Sequence, residues 1–303
     1  MNIQAALEEF SKDDLAFFFL PVFLLAIGLE FLLNRKRHLN LYQGKDTKAS
    51  FWMLLFAFIV ELAPKFLAIA GFYYLHEISP LRDVVQRQWW AWVLLFFVDD
   101  LAYYWFHRLN HEVRILWAGH VPHHSAIRMN FATALRQGVG ERLHKFLFWV
   151  PLPLLGFDPL MIFTMISINL FYQFWVHTEL VDRLPRAIEF VFNTPSHHRV
   201  HHASNIRYLD CNHAGVLIIW DRLFGSLSEE QEAERPVYGL TENITSYRPI
   251  DVATHEYQAI WRDVKHADTW SDMLKYIFYA PGWNHDGVDK RAKVLRSKLS
   301  NAI

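Results

Sequence analysis

The residues with the clearest capacity for chemistry are histidines. The chain carries 17 in 303 residues, and 12 of them fall between His107 and His213. A neutral imidazole offers a nitrogen lone pair at ordinary pH, which makes histidine the commonest side-chain metal ligand. His107 and His111 stand at i,i+4, so on a helix the two rings share one face a turn apart. His120, His123 and His124 form a His-x-x-His-His pattern, and His198, His201 and His202 repeat it. One such cluster arises easily by chance, whereas three in one chain are not explained by solvated surface. His177 closes an apolar stretch beside Trp175, where an interfacial ring and a ligand are equal readings. His197 precedes His198 directly and cannot share its helical face. His213 reads as a residue that supports the site. The isolated His38, His76, His144, His255, His266 and His285 read as surface or capping residues.

A hydrolytic zinc site needs only three or four protein ligands. Eight histidines, or ten with His177 and His197, imply two metal ions with about five nitrogens each. Imidazole-rich sites suit iron, copper, zinc or nickel. The single Cys211 excludes a cysteine metal motif and an internal disulfide. Paired iron can take up O2 and cleave an unactivated C–H bond. Asp99, Asp100 and Glu112 lie close enough in sequence to orient ring N–H groups, and Glu112 is also a candidate for direct participation.

The elements that must position these rings are largely apolar. The chain is 52% hydrophobic and 16% aromatic, yet 20% charged, and the apolar residues concentrate before position 177. Leu15 to Leu33 is long enough to cross a bilayer core of roughly 30 Å. The acidic stretch before it (Glu8, Glu9, Asp13, Asp14) sets it apart from a signal peptide. Phe51 to Leu75 is a second span, with a bend expected at Glu61–Lys65 and those two side chains paired at i,i+4. Trp89 to Phe106 is a third, and its Asp99 and Asp100 are costly enough in a membrane to suggest function. Phe146 to Val176 carries Pro151, Pro153, Gly156 and Pro159, so a hairpin turning near Gly156–Pro159 is expected, with at least one short arm.

Lys and Arg set the expected orientation. Only Lys12 precedes the first span, whereas Arg35, Lys36, Arg37, Lys45 and Lys48 follow it. This places the 34–50 loop, and two crossings later the histidine clusters, on the cytoplasmic side of a bacterial inner membrane or endoplasmic reticulum. The expected fold class is all-α: a polytopic membrane helical bundle with a cytoplasmic, histidine-rich di-metal cap. Three regions follow: membrane helices over 1–88, a catalytic region over 89–228, and a cytosolic tail over 229–303 without a readable motif. A net charge of −1 gives no bulk case for nucleic acid.

At the clusters the sequence resembles the fatty acid hydroxylase superfamily, which includes sterol desaturases. The stretches His107-Arg-Leu-Asn-His111-Glu112, His120-Val-Pro-His123-His124, Thr133-Ala-Leu-Arg-Gln137, Gln173-Phe-Trp-Val-His177-Thr-Glu179, Asn193-Thr-Pro-Ser-His197-His198-Arg-Val-His201-His202 and Gly215-Val-Leu-Ile-Ile-Trp-Asp-Arg-Leu-Phe-Gly225 resemble most its alkylglycerol monooxygenase branch. The resemblance spans roughly residues 90 to 250. It implies a non-haem di-iron centre, O2, a membrane lipid substrate and, in this branch, tetrahydrobiopterin as electron donor. It implies hydroxylation of the ether-bearing carbon of an alkylglycerol, with release of a fatty aldehyde. The positions that match the branch's ligands are His107, His111, His120, His123, His124, His198, His201 and His202, and Glu112 matches a glutamate of that branch. The chain departs from the branch at His213, where tyrosine is expected, and in having fewer membrane segments. Two other readings compete. One is a sterol or fatty-acyl hydroxylase or desaturase fed by a ferredoxin or cytochrome as electron-donor protein. The other is a non-enzymatic zinc-binding or transport membrane protein, which should place its ligands at mid-bilayer rather than at helix ends.

Overall fold

The computed structural model describes residues 15–302, with side chains from 19 to 301. The acidic stretch at Glu8, Glu9, Asp13 and Asp14, and Lys12, lie outside the described residues. Helices and irregular loops make up the fold. Among the described residues there is no strand, only the isolated bridges Ala203–Tyr238 and Gln231–Glu234.

Helix α1 (Leu15–Arg37) ends on Arg35, Lys36 and Arg37, cations that favour the negative end of the helix dipole. The Asn34 side chain then accepts from the Leu41 N–H at 2.8 Å and turns the chain back. Helices α2 (Gly44–Val60) and α3 (Leu62–Glu77) meet at Glu61 at an angle of 49°. The expected bend is present. The Glu61 carboxylate accepts from Arg142 Nε at 3.1 Å and from the Gly140 N–H at 3.1 Å. Glu61 is buried at the break and faces the 140–142 loop.

Helix α4 (Trp89–Glu112) is the centre of the molecule and runs unbroken through both aspartates to the first histidine cluster. Val113 adopts an extended conformation (φ −124, ψ 115), and α5 (Arg114–His124) starts directly after it. That one-residue break folds α5 back against α4. After the short helical turns between residues 142 and 154, Gly156 takes φ +87, a conformation that costs glycine little. Asp158 caps α6 (Pro159–Trp175), accepting from the Leu160 N–H at 2.8 Å, and Pro159 occupies the first helical position. The hairpin therefore turns where the punctuation lies, and its first arm is short. Helix α7 (Pro195–His201) carries the third cluster.

The apolar core beneath the histidines joins α3, α4, α6 and the 146–157 segment through Phe72, Leu95, Phe106, Trp149, Leu152 and Ile162. The tail forms α8 (Pro249–His266), α9 (Trp270–Phe278) and α10 (Ala292–Ala302). It caps α5: Arg114 pairs with Glu256 at 2.7 Å and with Asp263 at 2.6 Å.

Among the described residues no single helix is long and apolar enough to cross a membrane, although the bent pair α2–α3 is by length and composition. In α4 the aspartates, tryptophans and tyrosines lower the mean hydropathy of an otherwise sufficient length. Large apolar side chains nevertheless cover the outside of this half of the molecule. Leu25, Leu32, Trp52, Ile59, Leu67 and Trp89 are all more than half exposed.

Candidate metal centre

Nine of the ten histidines expected as ligands converge, and they divide into two groups. His107, His111, His120, His124 and His201 offer ring nitrogens that all lie within 4.8 Å of one another. His123, His177, His198 and His202 form a second such group. Every one of these rings is buried. The two groups adjoin, with the His124 and His202 rings stacked at 4.4 Å between centroids and the His198 and His201 rings at 5.2 Å.

The division follows from helix geometry. In each His-x-x-His-His pattern, the i and i+4 rings lie nearly in line along the helix, while the i+3 ring is rotated to one side. His120 and His124 therefore serve the first group, and His123 crosses to the second. On α7 the relation is reversed: His198 and His202 serve the second group, and His201 crosses to the first. His107 and His111 on α4 both face the first group, and His177, just past the end of α6, completes the second.

The protonation pattern tests whether these groups suit a cation. Nδ1 of His107 donates to the His213 carbonyl at 2.9 Å, and Nδ1 of His201 to the Cys211 carbonyl at 2.9 Å. Nδ1 of His123 donates to the Arg136 carbonyl at 3.1 Å, and Nδ1 of His177 to the Gln173 carbonyl at 2.7 Å. A carbonyl oxygen can only accept, so the proton of each neutral ring sits on Nδ1 and Nε2 carries a bare lone pair. Yet His123 Nε2 and His177 Nε2 face each other at 3.2 Å. Two lone pairs at that distance repel, and a cation between them removes the repulsion. His120 Nε2 lies 3.1 Å from His107 Nε2 and 3.2 Å from His124 Nε2. His111 Nε2 and His201 Nε2 are buried without a hydrogen-bond partner, which is costly for an acceptor. The donor set fits two metal ions, and its nitrogen-only chemistry is compatible with iron.

Comparison with known proteins bears on what such a centre belongs to. Residues 92–226 match the fatty acid hydroxylase family model. The chain belongs to the fatty acid hydroxylase family. It is 38% identical over 267 residues to the alkylglycerol monooxygenase of Homo sapiens, covering 88% of this chain and 58% of that protein. It is 36% identical over 281 residues to the alkylglycerol monooxygenase of Danio rerio, covering 92% of this chain and 61% of that protein. An ornithine lipid hydroxylase of Rhizobium tropici is 31% identical over 154 residues, covering 50% of this chain and 46% of that protein. The chain thus spans about half to three-fifths of the length of these relatives. No solved structure matches.

In this member of the family the rings are held mainly by backbone. Asp210 and Asn212 adopt positive φ (51 and 58), the left-handed region that Asp and Asn tolerate better than most residues. The resulting loop aims the Cys211 and His213 carbonyls at His201 and His107. Asp100 pins its far side, accepting from the N–H groups of Val216 (2.8 Å) and Leu217 (2.9 Å) and from Trp220 Nε1 (2.9 Å). Asp221 holds the near side through the His213 and Ala214 N–H groups, at 2.8 and 2.9 Å. Arg136, whose carbonyl receives His123, is itself anchored by a buried ion pair to Asp46 at 2.5 Å. Glu30, the one acid in the first apolar run, accepts from the hydroxyl of Thr178, next to His177.

Several sequence expectations change. The structure brings His197 into neither group; its Nδ1 lies 3.2 Å from the Thr194 hydroxyl. Glu112 pairs with Arg108 Nε at 2.8 Å and is partly exposed, so it addresses a guanidinium rather than a ring. Asp99 accepts from Trp149 Nε1 (2.7 Å) and Asn169 Nδ2 (3.0 Å). It and Asp100 hold the scaffold, because both leave α4 more than a turn before His107. His213 stands against His107, His111 and His201, with ring centroids 5.0–5.8 Å away, and contributes its carbonyl. Phe174 is stacked between Phe23 and Phe131 at 4.0 and 5.0 Å. An apolar cavity of about 290 Å³ lies elsewhere, between Leu67, Phe72, Leu75, Phe146 and Leu147, with Arg142 on its wall.

Two carboxylates escaped sequence reading. Asp210 Oδ1 lies 3.4 Å from His111 Nδ1, and Glu141 Oε1 lies 3.6 Å from His120 Nδ1. Asp210 had a local signal in its Asp-Cys-Asn-His context, whereas Glu141 had none. Burial pushes the imidazoles of His107, His111, His123, His124, His198, His201 and His202 well below their ordinary 6.5. It pushes His177 down to about 4 and His213 to about 3. These rings are therefore neutral, the form that ligates metal.

Proposed function

We propose that this chain is a membrane-embedded non-haem di-iron monooxygenase that uses O2 to hydroxylate a lipid C–H bond, with an alkylglycerol ether as substrate and tetrahydrobiopterin as electron donor. The observation that carries the reading is the division of nine buried imidazoles into two adjoining ligand groups in a chain of the fatty acid hydroxylase family. The relatives named alkylglycerol monooxygenase align over most of its length and favour the ether substrate. The many exposed large apolar side chains of α1 to α4 support embedding in a bilayer, with the histidine end at the cytoplasmic face.

When bound, the two ions supply O2 activation. The chain's own contribution is to hold nine rings in place, with carbonyls fixing the tautomers of His107, His123, His177 and His201, and to keep the rings away from water. The balanced reaction inserts one oxygen atom at the ether-bearing carbon, while the second leaves as water with two electrons and two protons from the donor. The hemiacetal then collapses, breaking the C–O bond to release a fatty aldehyde and a glycerol. Hydroxylation at any other carbon gives a stable alcohol.

The test is turnover by anaerobically purified, iron-loaded protein supplied with O2, tetrahydrobiopterin and an alkylglycerol. Fatty aldehyde is the expected product. The similarity to an ornithine lipid hydroxylase supports a second reading, hydroxylation of an acyl chain fed by a ferredoxin or cytochrome. A stable alcohol, formed only with a protein donor, selects that reading. Full function with tightly bound zinc and no O2 rejects both.

A further inference from the structure

The two ligand groups differ in what stands behind the rings. In the five-histidine group Asp210 Oδ1 lies 3.4 Å from His111 Nδ1, and Glu141 Oε1 lies 3.6 Å from His120 Nδ1. His120 Nδ1 is buried and has no hydrogen-bond partner, so Glu141 is the group it addresses. In the four-histidine group the known outer partners are neutral. His123 and His177 donate to backbone carbonyls, and His198 Nδ1 is buried without a partner. Among the described residues no carboxylate forms an ion pair with these four rings.

The placement of Glu141 is built into the fold. Gly138 packs so tightly on α5 that a Cβ there would lie 1.7 Å from the Gly119 carbonyl oxygen. That close approach carries the 138–141 loop onto the histidine helix and presents the carboxylate to His120. Asp210 comes from the opposite direction, at the start of the left-handed loop that also supplies the Cys211 and His213 carbonyls.

A carboxylate behind a ligating imidazole makes the ring a stronger donor and orients it. It also places a negative charge near the ion. The two carboxylates stand directly behind rings of the five-histidine position, where they oppose the charge of a divalent cation, and among the described residues none pairs with a ring of the four-histidine position. We propose that Glu141 and Asp210 are positioning residues that make the two metal positions unequal, so that the five-histidine position fills first and holds its divalent ion more tightly. This inference rests on the dinuclear reading above.

The experiment uses the full chain in detergent or nanodiscs, stripped of metal and titrated with Co(II) under nitrogen. Binding is followed by visible d–d absorption and by calorimetry. Wild type should bind two equivalents in two separate steps. His202→Ala should remove the weaker step and leave the tighter one, which assigns the steps to the groups. Glu141→Gln and Asp210→Asn should each weaken the tighter step by about 10–100-fold and leave the weaker step in place. A role confined to folding would move both steps together, and the two variants act from separate loops, so one misfolded variant leaves the other informative. Two equivalents bound in a single indistinguishable step, or variants that weaken the weaker step or neither, overturn the inference while the dinuclear reading stands. A single equivalent of Co(II) on wild type overturns both.

Discussion

Stripped of metal, the protein should be sharply acid-labile, and the size of the effect follows from the buried rings. Eight of the nine converging histidines have imidazoles held below 6.5 by burial. In the unfolded chain each titrates near 6.5. As pH falls below that value the unfolded state takes up protons that the folded state refuses, so stability is intact above 6.5 and is lost progressively down to the folded values. One pH unit below 6.5 each ring costs about 1.4 kcal/mol, and eight together cost roughly 11 kcal/mol. Asp210 acts in the opposite sense. Burial pushes its carboxyl up to about 7, and it returns about 2 kcal/mol over the same interval. The difference is comparable to the whole stability of an ordinary domain, about 5–15 kcal/mol. The assay is thermal unfolding of metal-free protein in nanodiscs, read by tryptophan fluorescence at pH 7.5, 6.5 and 5.5. The expected result is a small change over the first step and loss of the cooperative transition over the second, with metal-loaded protein resisting both. An apo transition that stays constant down to pH 5.5 would refute the argument, because it requires rings that protonate without unfolding.

Three further outcomes are expected. Gly138→Ala places a methyl group against the Gly119 carbonyl and should lower stability by about 1–3 kcal/mol, measured by the thermal midpoint. Asp46→Asn breaks the buried pair with Arg136; it should cost about 3–5 kcal/mol and, by releasing the segment that receives His123, lower bound iron in elemental analysis. Glu112→Gln removes only the pairing with Arg108, so iron content should stay near two per chain; loss of iron would place Glu112 in the support of the rings.

What the chain announces without its fold is the chemistry. Three histidine clusters at i,i+3 and i,i+4 spacing say that several nitrogens share helical faces, and local helix geometry suffices for that inference. The hairpin turn at Gly156–Pro159 and the bend at Glu61 were equally legible, because proline, glycine and a buried acid act on their own backbone. The allocation of rings was not legible. Whether His123 joins His120 or His198, and whether His197 faces in or out, depends on how α4, α5 and α7 are rotated about their axes when they pack, and no single helix encodes that rotation. The acids show the same limit. Asp99, Asp100 and Glu112 sit nearest the clusters in sequence yet point to Trp149, to the 216–217 backbone with the Trp220 indole, and to Arg108. Glu141 and Asp210 reach His120 and His111 across loops whose path is set by glycine contact and left-handed backbone. Ligand type and number are properties of residue identity and spacing; which ion each ring serves, and which charge stands behind it, are products of packing over long sequence separations.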